Sequence, residues 1–189
     1  MKITQDTKGV IKKINTMLKR GKMAGRGREK YTIFNTFSVN CFGHAVFNFS
    51  NQEIRNLRRK HEDELRTFLC GLWEPDDNKE SFKDITEQLE QKIRDTGLIL
   101  EECQEGDKVK EGQWKIAYYY YDDGGIDKDF HFMRQEKDGR WSSKLGTFME
   151  IEYYDRLPLM FNYGYCLAKV YKVTNPYIYK EASDEEKDM

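Results

Sequence analysis

Apolar residues keep helical spacing through the first half of this chain and change to alternation after residue 97. Val10, Ile11, Ile14 and Leu18 recur three and four apart, which predicts a basic amphipathic helix over 8–20, broken by Gly21, Gly25 and Gly27. Residues 31–37 alternate loosely, as a short strand or an extended lead-in does. Ser50 with Glu53 three residues later carries a capping-box signature. The helix it opens runs to about Leu72 and sets Ile54, Leu57, His61, Leu65 and Phe68 along one face. A loop at 75–78 follows, then a second helix over 81–95 with Phe82, Ile85, Leu89 and Ile93 on its inner stripe, ended by Gly97. Tyr, Ile, Val, Phe and Trp then concentrate in candidate strands at 98–103, 113–121, 129–136, 140–145, 148–153 and 165–173. Asp138-Gly139 is the strongest turn signal and predicts a two-residue hairpin between the third and fourth strands. Helices first and strands afterwards imply an α+β domain, its N-terminal helices packed on an antiparallel sheet.

Composition sharpens this organisation. The 189 residues are 38% hydrophobic, 14% aromatic and 34% charged, enough apolar material for one domain without metal or disulfide staples. Net charge is -1, which excludes a globally basic nucleic-acid binder. The charge is uneven, however. Residues 1–30 hold ten Lys/Arg against Asp6 and Glu29, and the last residues are acidic. The chain therefore divides into a basic arm at 1–30, an α+β domain at 31–175 and an acidic tail at 176–189. The arm serves solubility and attraction to the body, or else touches RNA, DNA or an acidic partner. No aromatic alternates with its basic residues, so it offers no base-stacking surface.

Cys41, Cys70, Cys103 and Cys166 are widely spaced and form no CxxC pair. With no apolar leader at the start and no long apolar run, the expectation is a cytoplasmic protein without a membrane span, although signal-independent delivery into another cell is also compatible. Cys70, Cys103 and Cys166 fall in patterns that suit small core residues. No cofactor and no metal are expected: Cys41-x-x-His44 is half a metal site with no second ligand pair. His61 reads as a core histidine, the run 118–121 as a strand exposing alternate rings, and the acidic loop 122–129 as a cleft border.

The pairing with chemical promise is Cys41 and His131. A helix beginning at Cys41 would place the thiol at its positive end and favour thiolate. His131, in Asp129-Phe130-His131-Phe132-Met133, would project from one sheet face as a proton acceptor. Asn40, beside the nucleophile, is the candidate oxyanion donor, and equally a helix cap. In a two-residue hairpin, Ser142 and Lys144 share the face of His131, Gly146 lies opposite it, and Ser143 falls on the other face. Ser142, Lys144 and Asp155 all remain open as the residue that orients the imidazole.

Several of these segments also resemble a known group. Asn40-Cys41-Phe42, Gln113-Trp114-Lys115-Ile116-Ala117, Asp129-Phe130-His131-Phe132-Met133-Arg134-Gln135 and Asp138-Gly139-Arg140-Trp141-Ser142-Ser143-Lys144 are similar to small microbial members of the papain-like cysteine peptidase superfamily, in the manner of NlpC/P60 enzymes. The resemblance covers roughly residues 38–173. It implies a papain-like fold, Cys41 as nucleophile and His131 as general base. The group carries a histidine where this chain has Ser143. The implied function is a cysteine-dependent hydrolase or acyltransferase acting on an amide bond of a protein or peptide substrate. The alternative is a non-catalytic protein-binding module, an inhibitor or effector from a phage or bacterium, that retains the fold.

Overall fold

A computed structural model describes Lys12, Thr16 and residues 40–47, 81–124, 128–146, 150–162 and 164–177. Its framework is an antiparallel sheet. Helix α1 spans Cys41–Phe47 and α2 Phe82–Asp95. The strands are β1 Ile99–Glu102, β2 Gln113–Asp122, β3 Lys128–Gln135, β4 Trp141–Lys144, β5 Ile151–Tyr154, β6 Met160–Phe161 and β7 Tyr165–Thr174. Their spatial order is β1-β7-β2-β3-β4-β5, and β6 pairs with β7. This corrects the expected papain-like, NlpC/P60-like helix-on-sheet architecture: strand outweighs helix, and only α1 and α2 are complete helices among the described residues. The physical reason lies in the second half of the chain, where aromatic and β-branched residues fill two ten-residue strands, β2 and β7, that pair along most of their length. The expected helix over 50–72 lies outside the described residues. So does most of the expected helix over 8–20, of which Lys12 and Thr16 are helical, the Thr16 hydroxyl donating to the Lys12 carbonyl at 2.8 Å.

Helix α2 forms where the sequence indicates. The Ser81 hydroxyl accepts the Asp84 N–H at 3.3 Å, while the Asp84 carboxylate accepts the Ser81 N–H at 3.0 Å, a reciprocal cap on the first turn. Ile85, Leu89 and Ile93, four residues apart, are buried against the sheet. Phe82 stays partly exposed and lies over Tyr120, ring centroids 4.6 Å apart. Glu90 ties the helix to β7 by accepting the Tyr171 hydroxyl at 2.6 Å.

The sheet has two packed faces. On the helix face, Phe42, Val46, Ile85 and Leu89 meet Trp114, Ile116, Tyr118, Phe130 and Phe132. On the opposite face, Ala117, Tyr119, Met133, Trp141, Phe161 and Val170 form a second cluster. The run 118–121 thus departs from simple alternate exposure, because Tyr118 and Tyr119 are both buried, one in each cluster. Two irregularities decide which residues reach which face. In β7, Tyr118 pairs with Lys169 but Tyr119 with Leu167, so Ala168 is an extra residue and the alternation inverts across it. At the β3–β4 turn, Gln135 pairs with Trp141, Gly139 N–H donates to the Glu136 carbonyl at 3.0 Å, and Gly139 has φ +90°. The connection is therefore longer than the expected two-residue hairpin, and the left-handed glycine absorbs the additional residue.

Candidate functional site

Helix α1 starts at Cys41, as a thiol at a helix N-terminus requires. Asn40 caps it: the side-chain Oδ1 accepts the Gly43 N–H at 3.1 Å, and its carbonyl accepts the His44 N–H at 2.9 Å. The expected oxyanion donor thus uses its side-chain oxygen for the helix. The helix lies on β3 and β4, and Cys41 belongs to the cluster on that face, only 6% exposed. Burial pushes the thiol up to about 12. The backbone N–H groups of Phe132 and Phe42 and the charge of Lys144 act against this rise, while Asp129 adds to it. Desolvation therefore outweighs the helix end at this sulfur.

His131 points the other way. Its neighbours Phe130 and Phe132 fill the helix-face cluster, so by strand alternation the imidazole leaves β3 on the opposite face. There it is 2% exposed, stacks on Phe161 with ring centroids 4.8 Å apart and an interplanar angle of 17°, and shares a 2.8 Å hydrogen bond between Nε2 and the Ser143 hydroxyl. Burial pushes the imidazole down to about 3, so it is neutral at pH 7. The structure therefore brings Cys41 close to the backbone of Phe132 but not to the imidazole of His131.

The longer hairpin turn also redistributes the candidate orienting residues. Arg134 pairs with Ser142 and Met133 with Ser143, so Ser143 shares the face of His131, while Ser142 and Lys144 lie on the helix face with Cys41. Ser142 donates to a Glu136 carboxylate oxygen at 2.5 Å. Because its only hydrogen is spent there, the Nε2 of His44 at 3.0 Å serves as donor to the same hydroxyl. Lys144 is fully buried, its ammonium donating to the Gly146 carbonyl at 2.8 Å. Asp155 is exposed. Cys166 is exposed and Cys103 half-buried, contrary to a core role: β7 inverts its alternation at Ala168, and β1 ends one residue before Cys103. Cys70 lies outside the described residues.

Two groupings had no clear signal in the chain. A strap across the His131 face runs from Leu157 through β6 to β7. It is held by the Tyr119 hydroxyl on the Pro158 carbonyl at 2.7 Å and by Leu167 N–H on the Leu159 carbonyl at 2.9 Å. Tyr165 of β7 donates to the Asp129 carboxylate at 2.5 Å. Leu159 and Met160 on this strap are 81% and 66% exposed. The second grouping is at the end of the sheet where β2 begins and β3 ends. Trp114 Nε1 and an Arg134 guanidinium N–H both donate to the Ala45 carbonyl, at 3.1 and 3.2 Å, and the guanidinium lies 5.0 Å from the Trp114 ring. These two residues sit on the floor of a cleft of about 640 Å³.

Among the described residues, no helix is long and apolar enough to cross a membrane. No curated protein and no solved structure matches the chain. The model of DUF7689, a domain of unknown function, matches residues 31–171, which is most of the chain, and the protein belongs to that family.

Proposed function

We propose that the chain is a non-catalytic protein-binding module. The observation that carries this reading is the placement of Cys41 and His131 on opposite faces of one strand, with the sulfur desolvated and the imidazole engaged by Ser143. Thiol catalysis on an amide bond needs the base within hydrogen-bond reach of the sulfur, and it needs a substantial thiolate fraction near pH 7. A thiol raised to about 12 carries almost no thiolate there. Binding is supported by surfaces that folding leaves open: the adjacent Leu159 and Met160 on the strap, and the cleft beside Trp114.

The test is iodoacetamide labelling of the native full chain across pH, with each cysteine followed by peptide mass mapping. The expected result is labelling of exposed Cys166, with Cys41 protected at every pH that keeps the fold. Labelling of Cys41 well below about pH 8.5, lost in His131→Ala, would overturn the reading.

A further inference from the structure

The strap at 157–162 covers His131 and is lightly held. Leu157 and Phe161 reach into the apolar cluster, while Leu159 and Met160 stay largely exposed. Among the described residues its polar ties are few. The Tyr119 hydroxyl meets the Pro158 carbonyl, the Leu167 and Tyr165 N–H groups meet the carbonyls of Leu159 and Asn162, and Leu157 N–H makes a long 3.4 Å bond to the Glu105 carboxylate. A segment with so few buried contacts opens ahead of the strands beneath it. We propose that protonation of His131 releases this strap, which makes it an acid-sensitive latch over the second face of the sheet. The latch holds whether or not a partner binds there.

Three observations support it. First, ring and strap share one contact surface: the imidazole stacks on Phe161 at 4.8 Å and is 2% exposed, so hydrating it means displacing Phe161. Second, the pocket offers little to an ion. Ser143 meets Nε2 at 2.8 Å and, among the described residues, Nδ1 has no partner, whereas an imidazolium carries two N–H donors. Third, the ionisable groups around the ring are already engaged. Tyr119 of β2 is spent on Pro158, and Asp129 of β3 accepts the hydroxyl of Tyr165 from β7. Tyr154 of β5, which packs on Phe161, donates to Glu152, and Cys103 lies half-buried against the same cluster. Burial therefore dominates, and it holds the imidazole down at about 3. Opening returns the ring to water and to an ordinary value of roughly 6.5, so on acidification the open form takes the proton first.

Amide hydrogen exchange on the full chain, corrected for the intrinsic pH dependence of exchange, tests the proposal. The reporters are the Leu167 and Tyr165 amides, both held by strap carbonyls. Their protection is expected to fall about thirty-fold between pH 7.5 and pH 5. Sub-denaturing urea should alter it little, in contrast to the amides of β2 and β3, which exchange through unfolding of the whole chain. His131→Phe should abolish the fall. Phe161→Leu, which removes the stacked ring, should lower protection at both pH values and keep their ratio. Unchanged protection at pH 5, an equal fall in His131→Phe, or strap amides that share the urea dependence of β2 would each overturn the latch. The imidazole resonances of the unaltered chain add an independent check: a ring that titrates near pH 6.5 while these amides stay protected would overturn it as well.

Discussion

The 2.8 Å hydrogen bond between His131 and Ser143 follows from the left-handed conformation of Gly139, eight residues beyond the imidazole. A two-residue turn at Asp138-Gly139 would have slid β4 by one position and sent Ser143 to the helix face. The Asp138 side chain reinforces the longer turn by accepting the Arg140 N–H at 3.0 Å. Strand parity at one glycine thus decides which hydroxyl His131 meets.

Replacing that glycine should therefore cost more than a surface change. A Cβ at Gly139 meets no atom within 4 Å, so the penalty is conformational. Gly139→Ala is expected to lower stability by about 1 kcal/mol, read from the urea midpoint. An unchanged midpoint would show that the turn re-forms with another register.

Acid should weaken the fold through His131. Its folded-state value of about 3 lies below the roughly 6.5 of an unfolded histidine, so on acidification the unfolded chain binds the proton first. This contribution to stability is complete above about pH 6.5 and is lost as pH falls toward 3. Between pH 8 and pH 5 it amounts to about 2 kcal/mol. His131→Phe, which keeps a ring against Phe161, is expected to flatten this part of the pH profile. The same slope in parent and variant would assign the acid sensitivity to another group.

The junction beneath the cleft gives a smaller effect. Trp114→Phe removes the donor to the Ala45 carbonyl while Arg134 remains on the same oxygen. A loss of about 1 kcal/mol is expected by chemical denaturation. Arg134→Met, which removes both the hydrogen bond and the cation over the indole, should cost more than Trp114→Phe.

Surface ion pairs should contribute little by comparison. Lys83 and Glu87 lie 3.8 Å apart with both side chains largely exposed. Glu87→Gln is expected to shift the denaturation midpoint by less than about 0.5 kcal/mol. A larger shift would assign α2 an electrostatic role absent from its capped and buried faces.

These outcomes follow the division between local and tertiary information. The Ser81 cap, the Ile85-Leu89-Ile93 stripe and six of the strands are legible because each rests on residues a few positions apart. Met160–Phe161 is too short a strand to leave a period. The relation of Cys41 to His131 was not legible, since it depends on parity along β3 and on where α1 lands. The pattern around Asp129-Phe130-His131-Phe132 correctly indicated alternation but could not say which parity faced the helix. Ser143 lies on the face opposite to the expected one for the same reason: a single left-handed residue reverses everything beyond it.

The extra residue at Ala168 carries a wider consequence. Before it, Tyr165 and Leu167 face the strap; beyond it, Lys169, Tyr171 and Val173 face the helices. Deleting Ala168 would restore regular alternation and leave both groups on their present faces, whereas straightening the strand at its full length would carry Lys169 to the face of Leu167, among apolar side chains. Lineages descending from this sequence can therefore shorten β7 at Ala168 while keeping both of its faces, a change of length that a regular strand does not tolerate.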